Sequence, residues 1–151
     1  MLYNAFLSIH IIGIILFVGT TVADYIFFRG FWKQLDTQSP YAKIFLEFVP
    51  KNLAVNRIGA LIVILAGIGM MTIVHGAYGP QLWMRIKIVL VVAAALNGGV
   101  VRRRQAKRLQ SSMEEANVPA IQKVLARLNL FHITQFMIFF CIILLSVFKF
   151  D

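Results

Sequence analysis

Residues 82–108 read LWMRIKIVLVVAAALNGGVVRRRQAKR. About 20 predominantly apolar residues are what an α-helix needs to cross a bilayer. Residues 82–101 meet that need with two charges, Arg85 and Lys87, just inside one end. Five cations follow at the other end: Arg102, Arg103, Arg104, Lys107 and Arg108. The stretch is a membrane span whose basic end fixes its orientation, and its two inner cations mark candidate chemistry.

The rest of the chain agrees. It has 151 residues, 60% of them hydrophobic, with a formal net charge of +9 and a mean hydropathy of +0.80. A soluble domain with that much apolar surface would aggregate, so the composition is that of an integral membrane protein, with residues 1–151 as a single domain. The cations cluster beside apolar runs, as residues retained on the cytoplasmic side of a membrane do, so nucleic acid is not an expected partner. Cys141 is the only cysteine, which excludes an internal disulfide. The first segment lacks a charged leader, and its apolar run is far longer than that of a cleavable signal.

Four spans are expected, at about residues 2–28, 58–74, 82–101 and 131–148. Tyr3 and Phe6 at one end of the first span, and Tyr25, Phe27, Phe28 and Trp32 at the other, form an aromatic belt. Between the first two spans, Ser39 and Pro40 signal a helix start. Tyr41, Ile44, Phe45 and Phe48 then recur at helical spacing until Pro50, predicting a short amphipathic helix at the membrane surface or packed under the bundle. Gly59, Ala60, Ala66, Gly67 and Gly69 let backbones approach the second span, and a GAYGP turn at 76–80 should fold the third span antiparallel onto it. Ala94 with Gly98, and Ala95 with Gly99, offer the third span similar contacts. The basic segment should stay helical to about residue 116, with a restart at Asn117. The fold class is all-α: an up-down-up-down four-helix membrane bundle with short amphipathic cytoplasmic segments. Both long loops are rich in Lys and Arg, which puts them in the cytoplasm and both termini outside the inner (plasma) membrane.

Ionisable groups inside a bilayer are costly and are functional candidates by default. They are His10, Asp24, His75, Arg85, Lys87 and His132. At 1.5 Å rise per residue, His10 lies about 10 Å below the outer start of its span and Lys87 about 8 Å below that of its own, one layer in the outer half. His75 ends the second span on the same side. For His10, either a hydrogen-bonded core histidine or an axial haem ligand, and so a metal ligand, is consistent with this placement. Lys87 either snorkels outward or joins His10. Arg85 does likewise, or pairs with a porphyrin propionate. His132, followed by Thr134 and Gln135, reads as a polar cytoplasmic rim apart from the others. Asp24, one turn after Thr20 and Thr21, should pair with Arg29, Arg57 or Arg102. Met70, Met71 and Met84 read as packing, and no two Met or His stand at ligand spacing on one helix.

These residues carry a resemblance. His10, Gly13, Phe17 and Gly19 resemble the opening "His-x-x-Gly, aromatic, Gly" of small membrane families such as the HemJ-type protoporphyrinogen oxidases and the copper-resistance D proteins. Trp83-Met-Arg-Ile-Lys87 is similar to the start of the HemJ-type third span, where a Trp precedes a functional Lys by four. Phe17 stands where that family prefers Trp, and Asn97 and Gly98 where it has a late histidine. The resemblance implies a haem b or porphyrin site around His10 and Lys87, oxidation of protoporphyrinogen, and electron delivery to a quinone.

Three functions are therefore in view. The leading one is a haem- or porphyrin-binding membrane protein with a redox role, possessing His10, Lys87, Arg85 and His75 as cofactor contacts. A metal-ion or proton transport module would use Asp24 and the histidines. A non-catalytic subunit, alone or as a homo-oligomer, would present its basic surface to a partner protein or anionic lipid.

Overall fold

A computed structural model describes residues 1–33, 40–74, 81–115 and 117–148. Its helices are α1 (Leu2–Lys33), α2 (Pro40–Ile73), α3 (Leu82–Leu96), α4 (Arg102–Glu114) and α5 (Val118–Phe148). A π-helical turn, Asn97–Val101, joins α3 to α4 as one rod. Four helical stretches are long and apolar enough to cross a membrane: Leu2–Lys33, Glu47–Ile73, Leu82–Glu114 and Val118–Phe148. The described residues contain no strand, and the architecture is a four-helix membrane bundle.

Small residues decide which helices pair. A Cβ on Gly59 would lie 2.7 Å from the Phe17 backbone nitrogen, and one on Gly13 would lie 2.9 Å from that of Val63. Only glycine lets α1 and α2 come this close. Gly69 is filled in the same way by the Phe6 ring. With its small-residue face taken by α1, α2 has little left for α3, which instead lies along α5. The expected packing of the third span on the second is thereby corrected. Of the two small-residue pairs on the third span, Ala94 and Gly98 are buried, against Phe17, Phe139 and Asn56. Among the described residues, no other helix lies within 4 Å of where a Gly99 Cβ would be.

The separate surface helix is also corrected, because Pro40 opens one helix that runs through Pro50 to Ile73. Proline removes one backbone donor and crowds the preceding turn. The turns on either side are held by α1. Phe48 stacks on Phe27 with centroids 4.1 Å apart, Val49 is buried, and Asn52 Nδ2 donates to the Thr20 carbonyl at 3.0 Å. Those contacts outweigh the local break. The restart at Asn117 is present, with its Oδ1 accepting the Ala120 N–H at 3.1 Å.

The largest core cluster lies at the basic end, where Phe28, Phe31 and Val49 meet Leu109, Ile121, Val124, Leu125 and Leu128. Much of it sits on helix extensions beyond the apolar runs, where exposure would mean water. Burial of each large side chain there is worth roughly 1.5–3 kcal/mol. Within the bilayer that drive is absent, and close backbones and polar ties must hold the helices instead.

Candidate functional site

The polar tie is a buried charged cluster. Asp24, on α1, receives the Arg102 guanidinium in a two-pronged contact, Nε donating to Oδ2 at 2.6 Å and Nη2 to Oδ1. His132, on α5, places Nε2 3.0 Å from the same Oδ2 and Nδ1 2.8 Å from the Leu128 carbonyl. Asp24 is 5% exposed, Arg102 4% and His132 0%. The carboxylate thus accepts three contacts, the compensation that a buried charge requires. Both His132 nitrogens face acceptors, and both contacts are hydrogen bonds at once when the ring carries two protons. The rings of Tyr25, Phe28 and Phe131 pack around it with centroids 5.4, 5.0 and 4.9 Å away.

The π turn aims Arg102. Buried residues on the rod run Ala94, Gly98, Arg102, Gln105, Leu109 and Ser112. Eight α-helical steps of 100° would carry Arg102 about 80° off the line through Ala94. The wider turn, closed by the Arg102 N–H on the Asn97 carbonyl, absorbs that overshoot. Asn97 Nδ2 donates to Gln135 Oε1 at 2.9 Å, and Gln135 Nε2 to the Ala94 carbonyl at 3.3 Å, fixing the turn on α5.

Beside the charged cluster lies a small cavity lined by Thr20, Thr21, Asn52, Asn56, Gly98 and Arg102, among others, with about 20 Å³ open to the centres of water molecules. That is room for one or two waters among polar partners. Asn56 Nδ2 reaches Thr20 Oγ1 at 2.8 Å, Thr21 Oγ1 at 3.2 Å and the Phe17 carbonyl at 3.1 Å.

The expected partnership of Asp24 with Arg102, one of three cations considered, is present. His132 is corrected: it is not part of a polar rim but fully buried on Asp24, and Gln135 is buried with it. The missed signal was depth, since Asp24, Arg102 and His132 all stand near the basic end of their spans. Asn52 and Asn56, one helical turn apart and facing Thr20 and Thr21, were missed for the same reason.

His10 stands in the opposite half, half-buried on α1. Its Nδ1 lies 2.9 Å from the Val63 carbonyl on α2, and its Cε1 lies 3.5 Å from where a Gly67 Cβ would be, so Gly67 makes the ring's seat. Against a carbonyl, Nδ1 is the donor, which leaves the lone pair on Nε2. Lys87 is half-buried on α3, near enough for its charge to act on His10. Arg85 is exposed two residues, about half a turn, nearer the start of α3. His75 lies outside the described residues. Among the described residues, no group of three His, Cys, Asp or Glu is placed to hold a metal ion.

Four membrane-spanning helices tied by a buried ion cluster define a small polytopic membrane protein. Its residues 5–150 match the family described as "Predicted integral membrane protein (DUF2269)", and the chain belongs to that family. No curated protein and no solved structure matches it.

Proposed function

We propose that the protein is a small haem- or porphyrin-binding membrane protein with a redox role, its cofactor held at His10. The observation that supports this is the hydrogen bond from His10 Nδ1 to the Val63 carbonyl. Iron-bound imidazoles characteristically donate their other nitrogen to a backbone carbonyl or carboxylate, which fixes the tautomer and orients the ligand nitrogen. A porphyrin brings four of its iron's ligands itself, so one imidazole suffices where the described residues gather no protein-only metal site. Lys87 and Arg85 supply cations for propionates on the same side of the bundle. Bound haem b would supply reversible one-electron chemistry. The resemblance to HemJ-type proteins suggests a porphyrinogen as substrate and a membrane quinone as acceptor. By the distribution of Lys and Arg, we place the basic segments in the cytoplasm and the termini outside the inner membrane. Protein purified in detergent from haem-replete cells is expected to show a Soret band that His10→Ala removes. A colourless wild-type preparation, or a band indifferent to His10→Ala, overturns the proposal.

The Asp24, Arg102 and His132 cluster favours a second reading, proton movement. Three ionisable side chains in contact, beside a water-sized cavity, form the kind of chain that carries protons in membrane proteins. Under this reading, liposomes holding the protein acidify under a diffusion potential, and Asp24→Asn stops them while leaving any Soret band in place. Equal flux in wild type and variant excludes it.

A further inference from the structure

Past the membrane-facing part of the bundle, α4 and α5 enclose an open groove of roughly 530 Å³. Lys107 and Arg108 line it from α4, and Lys123 and Arg127 from α5, with Ser111 and Ser112 at its side. Its floor is firm, because Leu109, Ile121, Val124 and Leu125 are packed beneath it. The four cations converge on one concavity, and among the described residues none is in an ion pair. The acids at the end of α4 accept from side chains one turn earlier, Glu114 from Gln110 at 3.1 Å and Glu115, just past the helix, from Ser111 at the groove's side at 3.4 Å. Four like charges gathered on a rigid floor lower their energy by sharing an anion, and two of them are guanidinium forks suited to phosphate oxygens.

Position identifies the source of that phosphate. Arg127 stands one turn before the exposed Leu130, and Ile133 follows, both open at the bundle surface. Lys107 and Arg108 each stand seven residues, about two turns, after the exposed Val100 and Val101. The groove therefore leads along the same helix faces into the apolar slab. A free phosphate has no use for those apolar faces, whereas a lipid covers them with its chains. We propose that this groove binds the headgroup of an anionic phospholipid, with the acyl chains lying along Leu130 and along Val100 and Val101. Basic pockets at the membrane boundary recognise such headgroups in this manner.

The test is lipid binding to the full chain in neutral detergent, titrated with phosphatidylglycerol or phosphatidylcholine and read by native mass spectrometry. Phosphatidylglycerol is expected to bind at least about tenfold tighter, and Lys123→Gln with Arg127→Gln to remove about tenfold or more of that affinity, since each basic residue near a surface contributes several-fold. Arg104→Gln, an exposed cation outside the groove lining, should leave it unchanged. Lys123→Arg with Arg127→Lys keeps the charge and should keep the preference, separating lost recognition from lost folding. Equal binding of the two lipids overturns the proposal. So does an Arg104→Gln loss as large as that of the double variant, or complete displacement of the lipid by millimolar inorganic phosphate, which would assign the groove to a soluble anion.

Discussion

The two halves of the bundle solve the problem of polar groups in a bilayer differently. At the basic end, Asp24 holds Arg102 and His132 inside aromatic walls, and three helices are tied at one carboxylate. Toward the other end, His10 has one hydrogen bond, to Val63, and sits among side chains that face outward, including Ile9, Ile11, Ile12 and Ile14. No residue of α5 beyond Phe139 is buried among those described. One half is closed by its polar groups; the other keeps an imidazole nitrogen in a loosely packed layer. The contrast separates a structural duty from a chemical one. A carboxylate held by three contacts from two other helices ties those helices together, while an imidazole oriented through one nitrogen and uncommitted at the other can take a ligand.

That contrast is broken most directly at Arg102. Replacing it with Met strands a buried carboxylate with two of its three contacts gone, which is expected to cost about 3–5 kcal/mol. Urea or thermal unfolding in detergent, followed by circular dichroism, measures the loss. Pairing it with Asp24→Leu removes the stranded charge as well, and should recover a large part of the stability, because apolar replacements of buried ion pairs are often near neutral. A single variant as stable as wild type would show that the cluster ties nothing, and the basic end would then resemble the other half.

Much of this architecture was legible in the chain. Hydropathy gave four spans because lipid demands about 20 apolar residues per crossing, whatever the fold. Pro40 and Asn117 act locally, through a fixed φ and a capping oxygen, so their helix starts could be read from neighbours alone. Pro50 misled because its effect is local while the contacts that override it, Phe27 on Phe48 and Thr20 on Asn52, come from another helix. The meeting of Asp24 with His132 spans 108 positions and depends on how the α4 rod is phased. That phase is set by a π turn, which no propensity of Asn97, Gly98 and Gly99 announces. Matching depths along the spans placed His10 near Lys87, and the same arithmetic would have brought Asp24, Arg102 and His132 together. The lone hydrogen bond of His10 was open in principle, but its acceptor is a backbone carbonyl, which has no sequence signature.

The smaller effect lies at His10, and its size is what distinguishes the halves. His10→Ala removes one hydrogen bond to a carbonyl that already belongs to helix α2, so no buried charge is exposed and no donor inside α2 is orphaned. The expected cost is about 1 kcal/mol, the ordinary net worth of one such bond. Measured in the same unfolding assay as Arg102→Met, it should leave a folded protein with near wild-type stability. Stability and spectrum should therefore part company: Arg102→Met strongly destabilises the bundle, and His10→Ala leaves the fold and removes the chromophore. A cost at His10 as large as at Arg102 would mean that the imidazole is a structural bolt. Its Nε2 would then have no claim to be the ligand position, since a residue that the fold cannot spare needs no cofactor to explain it.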